Sequence, residues 1–110
     1  MTELNKKKCM PCEGGVATLN IEEINELLKN LNEWEATEKE ILKTFTFKDF
    51  KESLDFINKV GVIAEDEGHH PDISLFSYKN VKITLSTHAI GGLSENDFIV
   101  AAKIDETQGS

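Results

Sequence analysis

Gly68-His69-His70-Pro71 is the sharpest discontinuity in this chain, and it constrains how the sequence on either side can fold. Upstream, Phe50, Leu54, Ile57, Gly61 and Ala64 recur at steps of four and three, the spacing of an amphipathic helix. Gly68 can take a positive φ and so suits a helix C-cap. Pro71 cannot continue a helix and pushes His70 toward an extended conformation. Downstream the period becomes two. Val81, Ile83 and Leu85 share one face, and Lys82, Thr84 and Ser86 the other. A long helix must therefore hand over to a hairpin. The predicted strands cover 72–78 and 81–87, joined at Lys79-Asn80, where Asn suits a tight turn.

The first half repeats this order. Asn20, with Glu23 three residues on, reads as a capped helix start. Ile21, Ile24, Leu27, Leu28 and Leu31 follow at helical spacing, with an end expected near 30–32. Strands are predicted over 34–37 and 40–46, with the turn near Glu38-Lys39. Thr46-Phe47-Lys48-Asp49 reads as the cap of the long helix, and Phe50 and Phe56 as core and sheet-facing residues. After the Gly91-Gly92 break, Ser94-x-x-Asp97 opens a last helix carrying Phe98, Ala101 and Ala102. The order α-β-β-α-β-β-α predicts an α+β fold, a four-stranded, mainly antiparallel sheet with helices packed on one face.

A chain of 110 residues suffices for one domain. Residues 1–18 read as a polar N-terminal arm, and 19–110 as the single domain. The net charge of -8 opposes binding to phosphate backbones or anionic membrane surfaces, so neither direct nucleic-acid nor membrane partners are expected. No apolar run reaches transmembrane length, and the basic N-terminus lacks an apolar segment behind it. The expected location is cytoplasmic, where a structural disulfide between Cys9 and Cys12 is not favoured. Cys9-x-x-Cys12 supplies half a zinc site, and no second cysteine pair completes it. It also lacks the βαβ context of a thioredoxin-like redox motif. No Walker loop, Rossmann fingerprint or nucleophile elbow is present.

All three histidines, His69, His70 and His88, fall within one stretch. Imidazole titrates near neutrality and suits proton transfer. Glu65 lies four residues before His69 and would share its face if the helix persisted. Spacing alone fits an ordinary exposed helix pair at least as well. His70, held extended by Pro71, points away from its neighbour. On a regular strand His88 would follow Thr84 and Ser86 onto the polar face. Asp97 is explained most simply as a cap of its own helix.

Glu65-x-x-x-His69-His70-Pro71, then Tyr78, His88 and Asp97 at their spacings, resembles the pterin-4a-carbinolamine dehydratase family. Val81-Lys-Ile-Thr-Leu-Ser-Thr-His88 and Gly92-Leu93-Ser94 are similar to that family's strand and last-helix entry. Cys9-Met-Pro-Cys12 with Gly14-Gly15 resembles the arm of bacterial members. The resemblance covers about residues 19 to 106. It implies a lyase converting a 4a-hydroxytetrahydropterin to quinonoid dihydropterin and water, as in tetrahydrobiopterin recycling. His69 and His88 would be the acid–base pair, in either order, and His70 would bind and orient the pterin. Glu65 would tune His69, and Asp97 would support the site. No metal or redox cofactor is required, and assembly as a homodimer or homotetramer is implied. Gly68 stands where many members have Asp, and Asn96 where many have Arg. Two other readings remain: a non-catalytic dimerisation or binding module, and a molybdopterin-linked stabilising protein.

Overall fold

The computed structural model describes residues 18–108, and the His88 side chain is not among the described groups. Residues 1–17 of the expected arm, with Cys9 and Cys12, lie outside the described residues. The elements are α1 (Ile21–Leu28), β1 (Glu35–Ala36), β2 (Ile41–Thr46), α2 (Phe50–Glu67), β3 (Asp72–Phe76), β4 (Asn80–Leu85) and α3 (Glu95–Glu106). A 3-10 turn, His88–Ile90, lies between β4 and α3. The order matches the expected one. The strands form one sheet in the order β1-β2-β4-β3, and every pairing is antiparallel.

Register explains which face is buried. Ile41, Lys43 and Phe45 lie opposite Leu85, Ile83 and Val81. Ile41, Phe45, Val81, Ile83 and Leu85 are buried with Phe98, Ile99 and Ile104 of α3 in one core. Each such large side chain contributes about 1.5–3 kcal/mol on full burial. Thr44, Thr46 and Lys82 face the other way and are exposed. Lys43 is polar yet shares the core face. Its Nζ donates to Asp105 of α3 at 3.2 Å and to the Asn32 carbonyl at 2.7 Å. The same carboxylate accepts from Trp34 Nε1 at 2.9 Å and Asn32 N at 3.2 Å, clamping the α1–β1 loop to α3.

Helix starts follow side-chain capping. Asn20 and Glu23 form the expected reciprocal capping box on α1. For α2 the cap is Asp49, not Thr46: Asp49 accepts from Glu52 N at 2.9 Å. Thr46 remains in β2, and its hydroxyl donates to Asn80 Oδ1 across the sheet. The buried stripe of α2 is Ser53, Phe56, Val60 and Ala64. Of the expected stripe, Ala64 is buried and Ile57 packs against the core, but Phe50 and Leu54 at its start lie off it. Phe50 is 49% exposed and Leu54 40%, so Phe50 is not a core residue, whereas Phe56 is. Ser53 takes a place on the buried face because its hydroxyl donates to the Asp49 carbonyl, so this polar side chain is buried with its hydrogen bond satisfied.

The hairpin also differs in detail. Its turn is Ser77-Tyr78-Lys79, with Ser77 and Tyr78 at positive φ (49° and 55°), so the expected Lys79 lies in it and Asn80 does not. Asn80 instead opens β4, paired with Phe76. Two consecutive left-handed residues supply the primed twist that a tight antiparallel connection needs. Neither is the Gly or Asn that marks such a turn in sequence.

Candidate functional site

Gly68 decides where the two adjacent imidazoles go. It is the α2 C-cap, with φ 65° and ψ 29°, and its N–H donates to the Ala64 carbonyl. His69 N–H donates to the same carbonyl at 3.2 Å. The helix is over before His69, so the four-residue spacing to Glu65 no longer puts the two on one face. Glu65 meets His70 instead, Oε2 to Nε2 at 2.5 Å. That pair is open to solvent, with side chains 77% and 61% exposed.

His69 turns the opposite way, to α3. Its Nε2 lies 2.6 Å from Asp97 Oδ1, with the imidazole 13% exposed and the carboxylate fully buried. An ionised carboxylate can only accept, so Nε2 carries the shared proton. In the neutral ring Nδ1 then holds the lone pair, available as a base.

Asp97 has two further donors on its second oxygen. Thr87 Oγ1 donates to Oδ2 at 2.8 Å, and Ser94 N at 3.0 Å. The Ser94 bond belongs to the capping arrangement of α3, so the expected capping role of Asp97 holds. The carboxylate performs a second task at the same time. Ser94 Oγ lies 2.8 Å from Thr87 Oγ1. Sequence reasoning did not select Thr87 or Ser94 as site residues, because neither shows a spacing that reveals a contact across the fold.

His88 follows Thr87 directly. β4 ends at Leu85, and His88 opens the 3-10 turn, so strand alternation does not govern its direction. The loop is pinned at both ends: Thr87 N donates to the Gly92 carbonyl at 2.8 Å, and Gly92 N returns to the Thr87 carbonyl at 3.4 Å. Leu19 N donates to the Leu93 carbonyl at 2.9 Å, and a Cβ on Gly92 would meet the Thr18 methyl at 2.6 Å. The chain entering α1 therefore buttresses this loop, and Gly92 leaves room for it. His69, Asp97 and the backbone leading into His88 are thus brought together. Glu65 and His70 form a second pair just beyond the helix end. Among the described residues, no group of three or more His, Cys, Asp or Glu is arranged to hold a metal ion.

Residues 17–107 match the family model of pterin 4 alpha carbinolamine dehydratase. The chain belongs to that family. A relative from Rubrobacter xylanophilus, provisionally named a pterin-4-alpha-carbinolamine dehydratase, is 47% identical over 96% of this chain and 98% of its own. The mitochondrial pterin-4-alpha-carbinolamine dehydratase 2 of Arabidopsis thaliana is 44% identical, over 98% of this chain and 60% of its own. Among solved structures, a transcriptional coactivator/pterin dehydratase from Brucella melitensis superposes with a TM-score of 0.79 at 33% identity. It covers 84% of this chain and all of its own. A pterin dehydratase-like protein described as a RuBisCO assembly factor in the alpha-carboxysome gives a TM-score of 0.58 at 27% identity, over 70% of this chain and 88% of its own. The family's fold is the one described above. No helix among the described residues is long and apolar enough to cross a membrane.

Proposed function

We propose that this protein dehydrates a 4a-hydroxytetrahydropterin to the quinonoid dihydropterin, in recycling of a tetrahydrobiopterin-type cofactor. The observation that carries the reading is the 2.6 Å contact of His69 Nε2 with the buried Asp97 carboxylate, beside the backbone that leads into His88. In the reaction the C4a–O bond breaks, the hydroxyl takes a proton and leaves as water, and N5 loses a proton as the C4a–N5 double bond forms. One group must supply a proton and another must accept one. His69, held with Nδ1 as its lone-pair nitrogen, suits the acceptor role, and His88 is then the donor. His70, exposed and steadied by Glu65, is placed to contact the pterin. No metal or redox cofactor enters this balance. Stopped-flow carbinolamine dehydration tests it. His69→Ala and His88→Ala should each lower the rate sharply with folding intact, and an inactive parent overturns the reading.

A second reading, a dimerisation or binding module, has its own support. Phe50 and Leu54 form an exposed apolar stripe along α2, continued by half-buried Ile57. β3 is an end strand whose outer edge is unpaired among the described residues, with Ile73 exposed on it. Such surfaces favour self-association. A homodimer or homotetramer in the cytoplasm fits both readings. Light scattering of Phe50→Glu/Leu54→Glu should show a smaller species than the parent, and an unchanged mass removes this face from the assembly.

A further inference from the structure

Thr87 was not an expected site residue, yet it joins both halves of the site. We propose that Thr87 is a positioning residue for the acid–base pair. Its side chain fixes His69 through Asp97, and its backbone fixes the start of the turn carrying His88. The inference rests on the dehydratase reading above.

The hydrogen positions follow from the chemistry of each group. Thr87 is 4% exposed and has one hydroxyl proton, which it gives to Asp97 Oδ2 at 2.8 Å. Its 2.8 Å contact with Ser94 Oγ must therefore be one in which Ser94 donates. Protons point one way along the chain, from Ser94 hydroxyl to Thr87 hydroxyl to Asp97. His69 donates to the other carboxylate oxygen. With donors on both oxygens, the carboxylate cannot turn without breaking a buried hydrogen bond, so the imidazole has one orientation and one tautomer.

The main chain of Thr87 is equally committed. Its N–H donates to the Gly92 carbonyl, and its own carbonyl accepts from Ile90 N at 3.2 Å and Gly92 N at 3.4 Å. A β-branched side chain adds restriction at χ1. The residue directly before His88 thus has little freedom to move relative to Asp97. Serine would keep the hydroxyl. Valine would keep the shape and remove it, leaving Oδ2 with the Ser94 N–H alone and depriving the Ser94 hydroxyl of this acceptor.

The test uses the full chain, with Thr87→Val, Thr87→Ala and Thr87→Ser. Two readouts are taken: kcat and KM by stopped flow, and the His69 ring nitrogens by long-range proton–nitrogen NMR. Thr87→Ser should keep kcat within about threefold and retain the Nε2–H tautomer. The two hydroxyl-free variants should lose about tenfold or more in kcat with KM little changed, the loss of roughly one buried hydrogen bond. Their His69 signals should become those of a tautomer mixture. Parental kcat and ring signals in Thr87→Val overturn the proposal, as does a Thr87→Ser loss as large as that of Thr87→Val. If neither hydroxyl-free variant folds, Thr87→Ser alone decides by the same threefold criterion. A parent with no dehydratase activity refutes the functional reading, and the ring spectra still decide the positioning role.

Discussion

Replacing Asp97 with asparagine should separate folding from chemistry, because an amide cannot serve all of the donors that the carboxylate serves. The carboxylate accepts from His69 Nε2 on one oxygen, and from Thr87 Oγ1 and Ser94 N on the other. An amide has one oxygen. If it faces Thr87 and Ser94, the NH2 faces His69, and the ring can accept only by moving its proton to Nδ1. If it faces His69, the NH2 confronts two donors. The first arrangement costs less, so the tautomer of His69 inverts and its lone pair points at residue 97. Charge-assisted bonds of about 1.5–3 kcal/mol each give way to neutral ones near 1, so we expect a stability loss of about 2 kcal/mol. A domain of this size holds about 5–15 kcal/mol, so the variant folds. The chemical loss is larger. The same carboxylate-to-amide exchange beside the histidine of a serine-protease triad costs about 10⁴ in kcat. We expect at least 100-fold here, or about 2.7 kcal/mol at 1.36 kcal/mol per decade. Urea unfolding followed by the fluorescence of Trp34, the sole tryptophan, measures the first quantity, and stopped-flow dehydration the second. A folded Asp97→Asn protein with activity within threefold of the parent would refute the tautomer argument.

Three further outcomes are expected. Asp105→Ala leaves the Lys43 charge with only the Asn32 carbonyl and removes the acceptor of the Trp34 indole N–H, in a site only 11–14% exposed at the ion pair, and should lower stability by about 3 kcal/mol in urea while leaving kcat of the folded protein unchanged. Tyr78→Gly relieves a left-handed tyrosine whose side chain is largely exposed, and should add about 1 kcal/mol, read as a rise in Tm by calorimetry. Glu65→Ala breaks an exposed pair with His70 and should leave the urea midpoint unchanged; a clear drop would show that the pair supports the fold.

Much of the architecture was legible in the residues. The change of period across Gly68 to Pro71 marked the passage from helix to hairpin, and Asn20 and Ser94 each marked a helix start. What failed did so for local reasons. The first turns of the α2 face, Phe50 and Leu54, miss the core, where Ser53 sits instead, polar in sequence but satisfied by its own helix start. The hairpin turn was misplaced because Ser77 and Tyr78 adopt a conformation that Gly and Asn usually announce. At the site, His69, His70, Glu65 and Asp97 were all singled out, but their pairing was exchanged. The i,i+4 rule holds only inside a helix, and the left-handed Gly68 ends the helix one residue too early for it. Thr87 was invisible because its importance depends on a contact ten residues along the chain, across a loop with no periodic signal.

Asp97 grips His69 with one oxygen of its carboxylate and closes the start of α3 with the other. Transplanting this constellation to another scaffold therefore requires moving a helix beginning, not only a set of side chains. Any lineage that drifts at position 97 must compensate both its folding and its proton handling within one substitution.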